Sequence, residues 1–183
     1  FPDYEISSKL LPARETSGDF YDFIHLDGGK LAIVIADVGD KGAGAALYMA
    51  MSRTLIRTYA GESKLAPKEV LHHVNRRILS DTQRGIFLTV FLGILDPEHG
   101  TINYVNAGHN PPFLVRKEDD KYTLIKLEKT GTLVGLFEGI AWEEKTVAIN
   151  PGEVLVLYTD GISEAQDNSG LFFGNDRLEE ILK

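Results

Sequence analysis

Two stretches of near-continuous apolar residues each run into an aspartate. Leu31-Ala32-Ile33-Val34-Ile35-Ala36 leads to Asp37, and Val154-Leu155-Val156-Leu157-Tyr158-Thr159 leads to Asp160. Both runs are short for a helix and rich in β-branched residues, so they predict strands covered on both faces. The first forty residues predict three strands, over 4–11, 19–26 and 30–36. Asp27-Gly28-Gly29 joins the last two, because glycine tolerates the positive φ of a tight turn. From Gly44 the period turns helical: Leu47, Ala50, Met51, Leu55 and Tyr59 predict a helix over 45–59. A second helix is predicted over 67–80, with Pro67 at its first position and Val70, Leu71, Val74, Ile78 and Leu79 on its apolar face.

Strands then resume. The segments 86–95 and 101–106 flank the turn Asp96-Pro97-Glu98-His99-Gly100, and 112–116 and 122–126 flank the charged tip 117–121. The segments 142–148 and 153–159 are expected to pair across Asn150-Pro151-Gly152, followed by a short helix after Gly161 and another over 177–182. Many antiparallel strands with two sequential helices among them predict an α+β domain of two stacked sheets with helices outside.

At 183 residues, with 43% hydrophobic and 25% charged residues, the chain is expected to form a single domain over 1–183. The net charge is -8 and the basic residues are scattered, which argues against a nucleic-acid surface or docking on anionic lipid. No cysteine is present, so disulfides, thiolate metal sites and cysteine nucleophiles are excluded. There is no apolar stretch of membrane-spanning length and no secretory signal, and a cytoplasmic setting is expected.

A third acid, Asp19, starts a predicted strand within Ser17-Gly18-Asp19-Phe20-Tyr21-Asp22. Carboxylates brought together repel one another unless a cation or a proton is shared among them. If the strands pair as neighbours, Asp19, Asp37 and Asp160 meet at one end of the sheet and form a divalent metal site. Oxygen-only ligation favours Mg2+ or Mn2+ over zinc, and two such ions stabilise both oxygens of an in-line phosphoryl displacement. Any one of these acids alone reads as a turn former; together they point to metal.

The loop from Asp37 through Gly39, Gly42 and Gly44 lacks the spacing of a P-loop or of a dinucleotide fingerprint. It reads better as a tight turn that brings backbone and carboxylate to a metal. His72 and His73, adjacent on a helix, face different directions and read as solvated or half-buried residues, and His25 and His99 sit near turns without a role. His109, in Asn106-Ala107-Gly108-His109-Asn110-Pro111, is read as a structural hydrogen-bonding residue rather than a catalytic one. No serine lies in a nucleophile elbow.

Four motifs occur in order: Ser17-Gly18-Asp19-Phe20-Tyr21-Asp22, Asp37-Val38-Gly39-Asp40-Lys41-Gly42, Asn106-Ala107-Gly108-His109-Asn110-Pro111 and Tyr158-Thr159-Asp160-Gly161-Ile162-Ser163-Glu164-Ala165. In series they resemble the bacterial SpoIIE-type branch of the metal-dependent (PPM, protein phosphatase 2C-like) serine/threonine protein phosphatases, over nearly the whole chain. The resemblance implies an α-β-β-α sandwich of two mainly antiparallel sheets. It also implies a centre of two divalent cations, Mn2+ or Mg2+, that hydrolyses phosphoserine or phosphothreonine by direct attack of water. By motif match Asp19 and Asp37 would be the acids around that water, Val38 would offer its backbone carbonyl, and Asp160 would bind the second metal. Asp22 and Asp40 would act through water or through these ligands; Arg14 would either meet the phosphate or be a plain exposed arginine.

The resemblance further implies a phosphorylated protein substrate, an anti-sigma-factor antagonist of the STAS type in a partner-switching pathway. Regulatory domains, fused or separate, would act through the helix pair 45–59 and 67–80, through which a homodimer is also conceivable. Such proteins continue past the 177–182 helix to a strand that carries one more metal-ligating acid, so the chain is expected to be a C-terminally incomplete piece of a longer, sensor-linked protein. Two other functions compete: a catalytically weak phosphatase-like module that binds a phosphorylated partner, and a phospho-accepting switch modified on Asp37, which the β-α layout disfavours. The glycine-rich segment 128–142, with Leu136 and Phe137, reads either as a flap over the site or as a loop pinned by Trp142.

Overall fold

The computed structural model describes residues 3–12, 17–39, 42–62, 64–81, 85–119 and 121–183. Arg14 and Asp40 lie outside these described residues. The chain runs β1 (Phe20–His25), β2 (Leu31–Val38), α1 (Ala43–Glu62), α2 (Pro67–Asp81), β3 (Leu88–Asp96), β4 (Thr101–Ala107), β5 (Phe113–Glu118), β6 (Lys121–Lys126), β7 (Lys145–Ala148), β8 (Val154–Val156), α3 (Asp160–Ser163) and α4 (Asn175–Leu182). The strands form a five-stranded sheet in the order β1-β2-β3-β4-β7 and a three-stranded sheet in the order β6-β5-β8, with every pairing antiparallel.

The side-chain alternation of β2 shows how the layers are built. Ala32, Val34, Ala36 and Val38 join the core under α1 and α2, with Ile56, Val70, Val74 and Ile78. Ile33 and Ile35 point the other way, into the layer between the sheets, where Phe91, Ile102, Tyr104 and Leu155 meet them. The outer face of the smaller sheet is covered by α4 through Leu178 and Leu182, packed with Phe113, Val156 and Tyr158. The result is the expected α-β-β-α sandwich, and β2 is apolar from Leu31 to Ala36 because both of its faces are covered there. α1 lies close to its sheet because small residues, Ala45, Ser52 and Ala60, recur on its buried face. α2 starts on Pro67, with the Ala66 N–H donating to Glu69 Oε2 at 2.9 Å. Among the described residues no helix is long and apolar enough to cross a membrane.

Three expectations fail. The segment 4–11 forms no strand, and Ile6, Leu10 and Leu11 stay exposed, so its alternation has no partner to bury it. β8 is shorter than expected and lies at a sheet edge, with Val154 54% exposed; from Leu155 on, Leu155 and Leu157 face the layer between the sheets and Val156 and Tyr158 pack under α4. The segments around Asn150-Pro151-Gly152 do not form a hairpin: β7 pairs with β4, and β8 pairs with β5. The turn exists, with Gly152 at φ 84°, but it passes the chain from one sheet to the other. Glu153 at its end is ion-paired with Arg116 of β5, which ties β8 to the smaller sheet.

The segment 128–142 is held rather than loose. Trp142 is buried and donates its indole N–H to the Thr132 carbonyl at 2.7 Å. Buried Asn75 of α2 accepts from the Gly135 N–H at 2.7 Å and donates to the Phe137 carbonyl at 2.9 Å, while Phe137 itself stays exposed. Gly135 adopts φ 92°, and a Cβ there would lie 2.3 Å from the Tyr48 hydroxyl, which donates to the Ile86 carbonyl. Gly135→Ala is therefore expected to cost about 1–3 kcal/mol, lowering the melting temperature by roughly 2–12 °C. A thermal melt checks this, and an unchanged midpoint would mean that the segment is not fixed by these contacts.

Candidate active site

The register of the larger sheet brings the first two acids together. Phe20 of β1 faces Ala36 of β2, and Asp19, the residue just before β1, brings its carboxyl within hydrogen-bond reach of Asp37, the residue after Ala36. Asp37 lies inside β2 rather than after it, on the same face as Ile33 and Ile35, so the pair sits at the rim of the layer between the sheets. Gly18 lets the chain pass close to this rim at residues 17–18: a Cβ there would lie 3.2 Å from the Val38 carbonyl oxygen and 3.7 Å from Asp37 Oδ1. Ser17 Oγ accepts from the Asp19 N–H at 3.0 Å.

The smaller sheet supplies the other side. The chain leaves β8 through Tyr158 and Thr159, and Thr159 Oγ1 donates to Asp19 Oδ2 at 2.7 Å. Asp160 then opens α3, with Glu164 at its end. Burial pushes the Asp37 carboxyl up to about 7, helped by a hydrogen bond and charge from Asp19 and by the charges of Asp160 and Glu164. The structure thus places Asp19, Asp37 and Asp160 in one electrostatic cluster, with Asp19 and Asp37 in hydrogen-bond reach and Asp160 acting by its charge.

The donor set suits a hard cation in kind. Two facing carboxylates in hydrogen-bond reach require a shared proton or a cation between them, and the donors at hand are oxygens. Among the described residues, however, no three histidine, aspartate or glutamate side chains stand close enough to coordinate one ion as placed.

Asp22, three residues beyond Asp19, does not belong to this cluster. It shares the face of Phe20 and Ile24 towards the helices, where Arg57 reaches it at 2.6 and 2.9 Å and Arg53 at 3.2 and 3.3 Å. Burial pushes its carboxyl up, but the hydrogen bonds from Arg57 and Arg53 outweigh this and hold it below the usual carboxylate range. The expectation that Asp22 acts through the metal ligands gives way to a structural ion pair, set by the period of two along β1.

His109 is read from the sequence as a structural hydrogen-bonding residue, and both it and Asn106 are buried and hydrogen-bonded. Asn106 is buried, donating from its side chain to the Leu127 carbonyl at 3.2 Å and from its backbone to Thr130 Oγ1 at 3.0 Å. Gly108 takes φ 78° against the Leu133 backbone and turns His109 inward, where it is 1% exposed. Its Nδ1 lies 3.0 Å from Thr89 Oγ1, while Nε2 makes no hydrogen bond of good geometry among the described residues. Burial pushes the imidazole down to about 4, against the opposing pull of the Tyr158 carbonyl and the Asp19 charge. His72 edges against Trp142 and His73 stacks on Tyr59, both away from the acids. The sequence reading missed Thr159, Glu164 and Thr89. The first two lie in the motif around Asp160 and were open to it; Thr89 shows itself only through the β2–β3 register, where it faces Asp37.

The chain is similar to known proteins over almost all of its length. It is 36% identical to Protein IcfG of Synechocystis, covering 98% of this chain and 32% of that protein. It is 28% identical to the phosphoserine phosphatase RsbU of Bacillus subtilis, covering 98% of this chain and 52% of that protein. It therefore spans about a third to a half of these curated relatives. Among solved structures, the RsbU and RsbW domains of Rv1364c from Mycobacterium tuberculosis superpose with a TM-score of 0.70 at 29% identity, over 85% of this chain and 42% of that one. The family model of Stage II sporulation protein E (SpoIIE) matches residues 27–183, and the chain belongs to that family.

Proposed function

We propose that the chain hydrolyses phosphoserine or phosphothreonine on a protein substrate, with Asp19, Asp37 and Asp160 holding two divalent cations, Mn2+ or Mg2+, and the Val38 carbonyl assisting. The observation that carries this reading is the close pair Asp19 and Asp37 at the sheet rim, with the charge of Asp160, at the start of α3, acting on Asp37. When bound, such cations supply Lewis acidity towards a water nucleophile and the phosphoryl oxygens. The protein's own part is to orient that chemistry. Thr159 fixes one oxygen of Asp19, Gly18 lets the loop approach, and the half-buried rim strengthens charge interactions. The similarity to a phosphoserine phosphatase supports the reaction class. A STAS-type antagonist of an anti-sigma factor is the substrate we favour, with regulation through the α1–α2 pair by further domains of a longer protein.

A second reading, a module that binds a phosphorylated partner without hydrolysis, is favoured by one observation: the described acids do not close around one ion as placed. Hydrolysis of an aryl phosphate across a Mn2+ titration separates the two. Turnover is expected to rise with Mn2+ and to fall roughly 100-fold or more in Asp160→Asn, the scale of removing one preorganised electrostatic group. No turnover at saturating Mn2+ in the natural full-length protein, with tight binding of a phosphorylated partner, would sink the enzymatic reading.

A further inference from the structure

Across the rim of the larger sheet runs a polar row that the acid cluster does not exhaust. The Asp19 carboxyl reaches that of Asp37, Asp37 faces Thr89 across the β2–β3 ladder, and Thr89 contacts His109 in the bend after β4. On β3 the alternation puts Thr89 on the face of Phe91, towards the layer between the sheets, which is also the face of Asp37. Facing residues on neighbouring antiparallel strands have Cβ atoms about 4.5–5.5 Å apart, so the Thr89 side chain stands next to that of Asp37 on this face. Threonine is stiff at χ1, and a hydroxyl engaged with a buried imidazole is stiffer still. The ring itself cannot drift: His109 is 1% exposed, and Gly108 is wedged against Leu133.

We propose that Thr89 and His109 are positioning residues, a buried brace that fixes the wall against which Asp37 is held for cation binding. This rests on Asp37 being a cation ligand. Neither residue touches the substrate; His109 is too buried for that and acts through Thr89, which acts on Asp37. Partners that orient metal ligands typically contribute 10–100-fold in metal affinity, which sets the scale of the expected effect.

The test compares the full chain with Thr89→Ser, Thr89→Val and the double variant Thr89→Val/His109→Leu. Three quantities are read: Mn2+ affinity by calorimetry, the shift in melting temperature on adding Mn2+, and the KM for an aryl phosphate. Thr89→Val is expected to weaken Mn2+ binding about tenfold or more, with KM unchanged, and Thr89→Ser to stay within about twofold of the parent. Thr89→Val also strands a buried imidazole nitrogen, so its stability falls. The double variant replaces both polar partners by apolar ones, which is close to neutral for stability, so its melting temperature recovers. Its Mn2+ affinity is expected to stay weak. Recovery of Mn2+ affinity together with stability in the double variant would overturn the brace, because a merely structural pair behaves that way. So would a Thr89→Val protein within twofold of the parent. If the parent bound no Mn2+ at all, the reading of the acid cluster itself would fall, and the brace with it.

Discussion

Asp37→Asn is expected to reduce Mn2+-dependent turnover about a thousandfold and, in chelator-treated protein, to raise the melting temperature at pH 8. The first effect follows from the size of cation assistance: several kcal/mol of transition-state stabilisation correspond to roughly three powers of ten in rate. The second follows from the sign of the titration. In the folded chain the Asp37 carboxyl is pushed up to about 7, by burial first and then by Asp19, Asp160 and Glu164. In the unfolded chain an aspartate titrates near about 4. A folded value above the unfolded one gives a contribution that is complete below about pH 4 and is lost as pH rises through about 7. Chelator-treated wild type should therefore melt lower at pH 8 than at pH 5 by more than the variant does, because asparagine carries no charge to repel its neighbours. Adding Mn2+ should raise the midpoint of the wild type and leave that of the variant nearly unchanged. Equal melting temperatures for the two metal-free proteins at pH 8 would show that the cluster is not under charge strain.

The largest stability effect is expected on the opposite face of the same strand. Removing both arginines, with Arg53→Ala and Arg57→Ala, leaves the Asp22 carboxylate buried and unpaired, its side chain being only 6% exposed. Breaking a buried ion pair from one side costs about 3–5 kcal/mol, which for a chain of this size is roughly 6–20 °C in melting temperature. Asp22→Leu should cost less, because the two guanidinium groups are 49% and 50% exposed and can turn to water. The ordering of the two thermal melts is the check; an Asp22→Leu protein less stable than the double arginine variant would contradict it.

Much of this arrangement was legible in the sequence, and the failures have identifiable causes. The run into Asp37 predicted a strand buried on both faces, and β2 is one. That same lack of alternation hid which face Asp37 shares, because a strand that is apolar throughout carries no period to orient it. Asp22 misled for the opposite reason: its nearness to Asp19 in sequence suggested a common role, while strand alternation sends the two side chains apart. The Asn150-Pro151-Gly152 turn was read correctly as a bend and wrongly as a hairpin, since turn chemistry specifies a change of direction and not a pairing partner. Thr89 carries no local signal whatever; its neighbourhood with Asp37 exists only in the ladder between β2 and β3.

The bond from Thr159 to Asp19 joins residues 140 positions apart. Closing so long a loop yields nothing until both ends are ordered, so contacts of this kind form late in folding. Asp19, just before β1, and Asp37 of β2 can assemble early, from a local hairpin, but Thr159 arrives only when the smaller sheet docks. During synthesis the acid pair therefore emerges well before the segment that completes it, and a nascent chain that has not yet exposed Thr159 carries half a site. Pulse-labelling of the amides around residue 159 against those of the β1–β2 hairpin would time that docking step, and with it the moment at which Thr159 reaches Asp19.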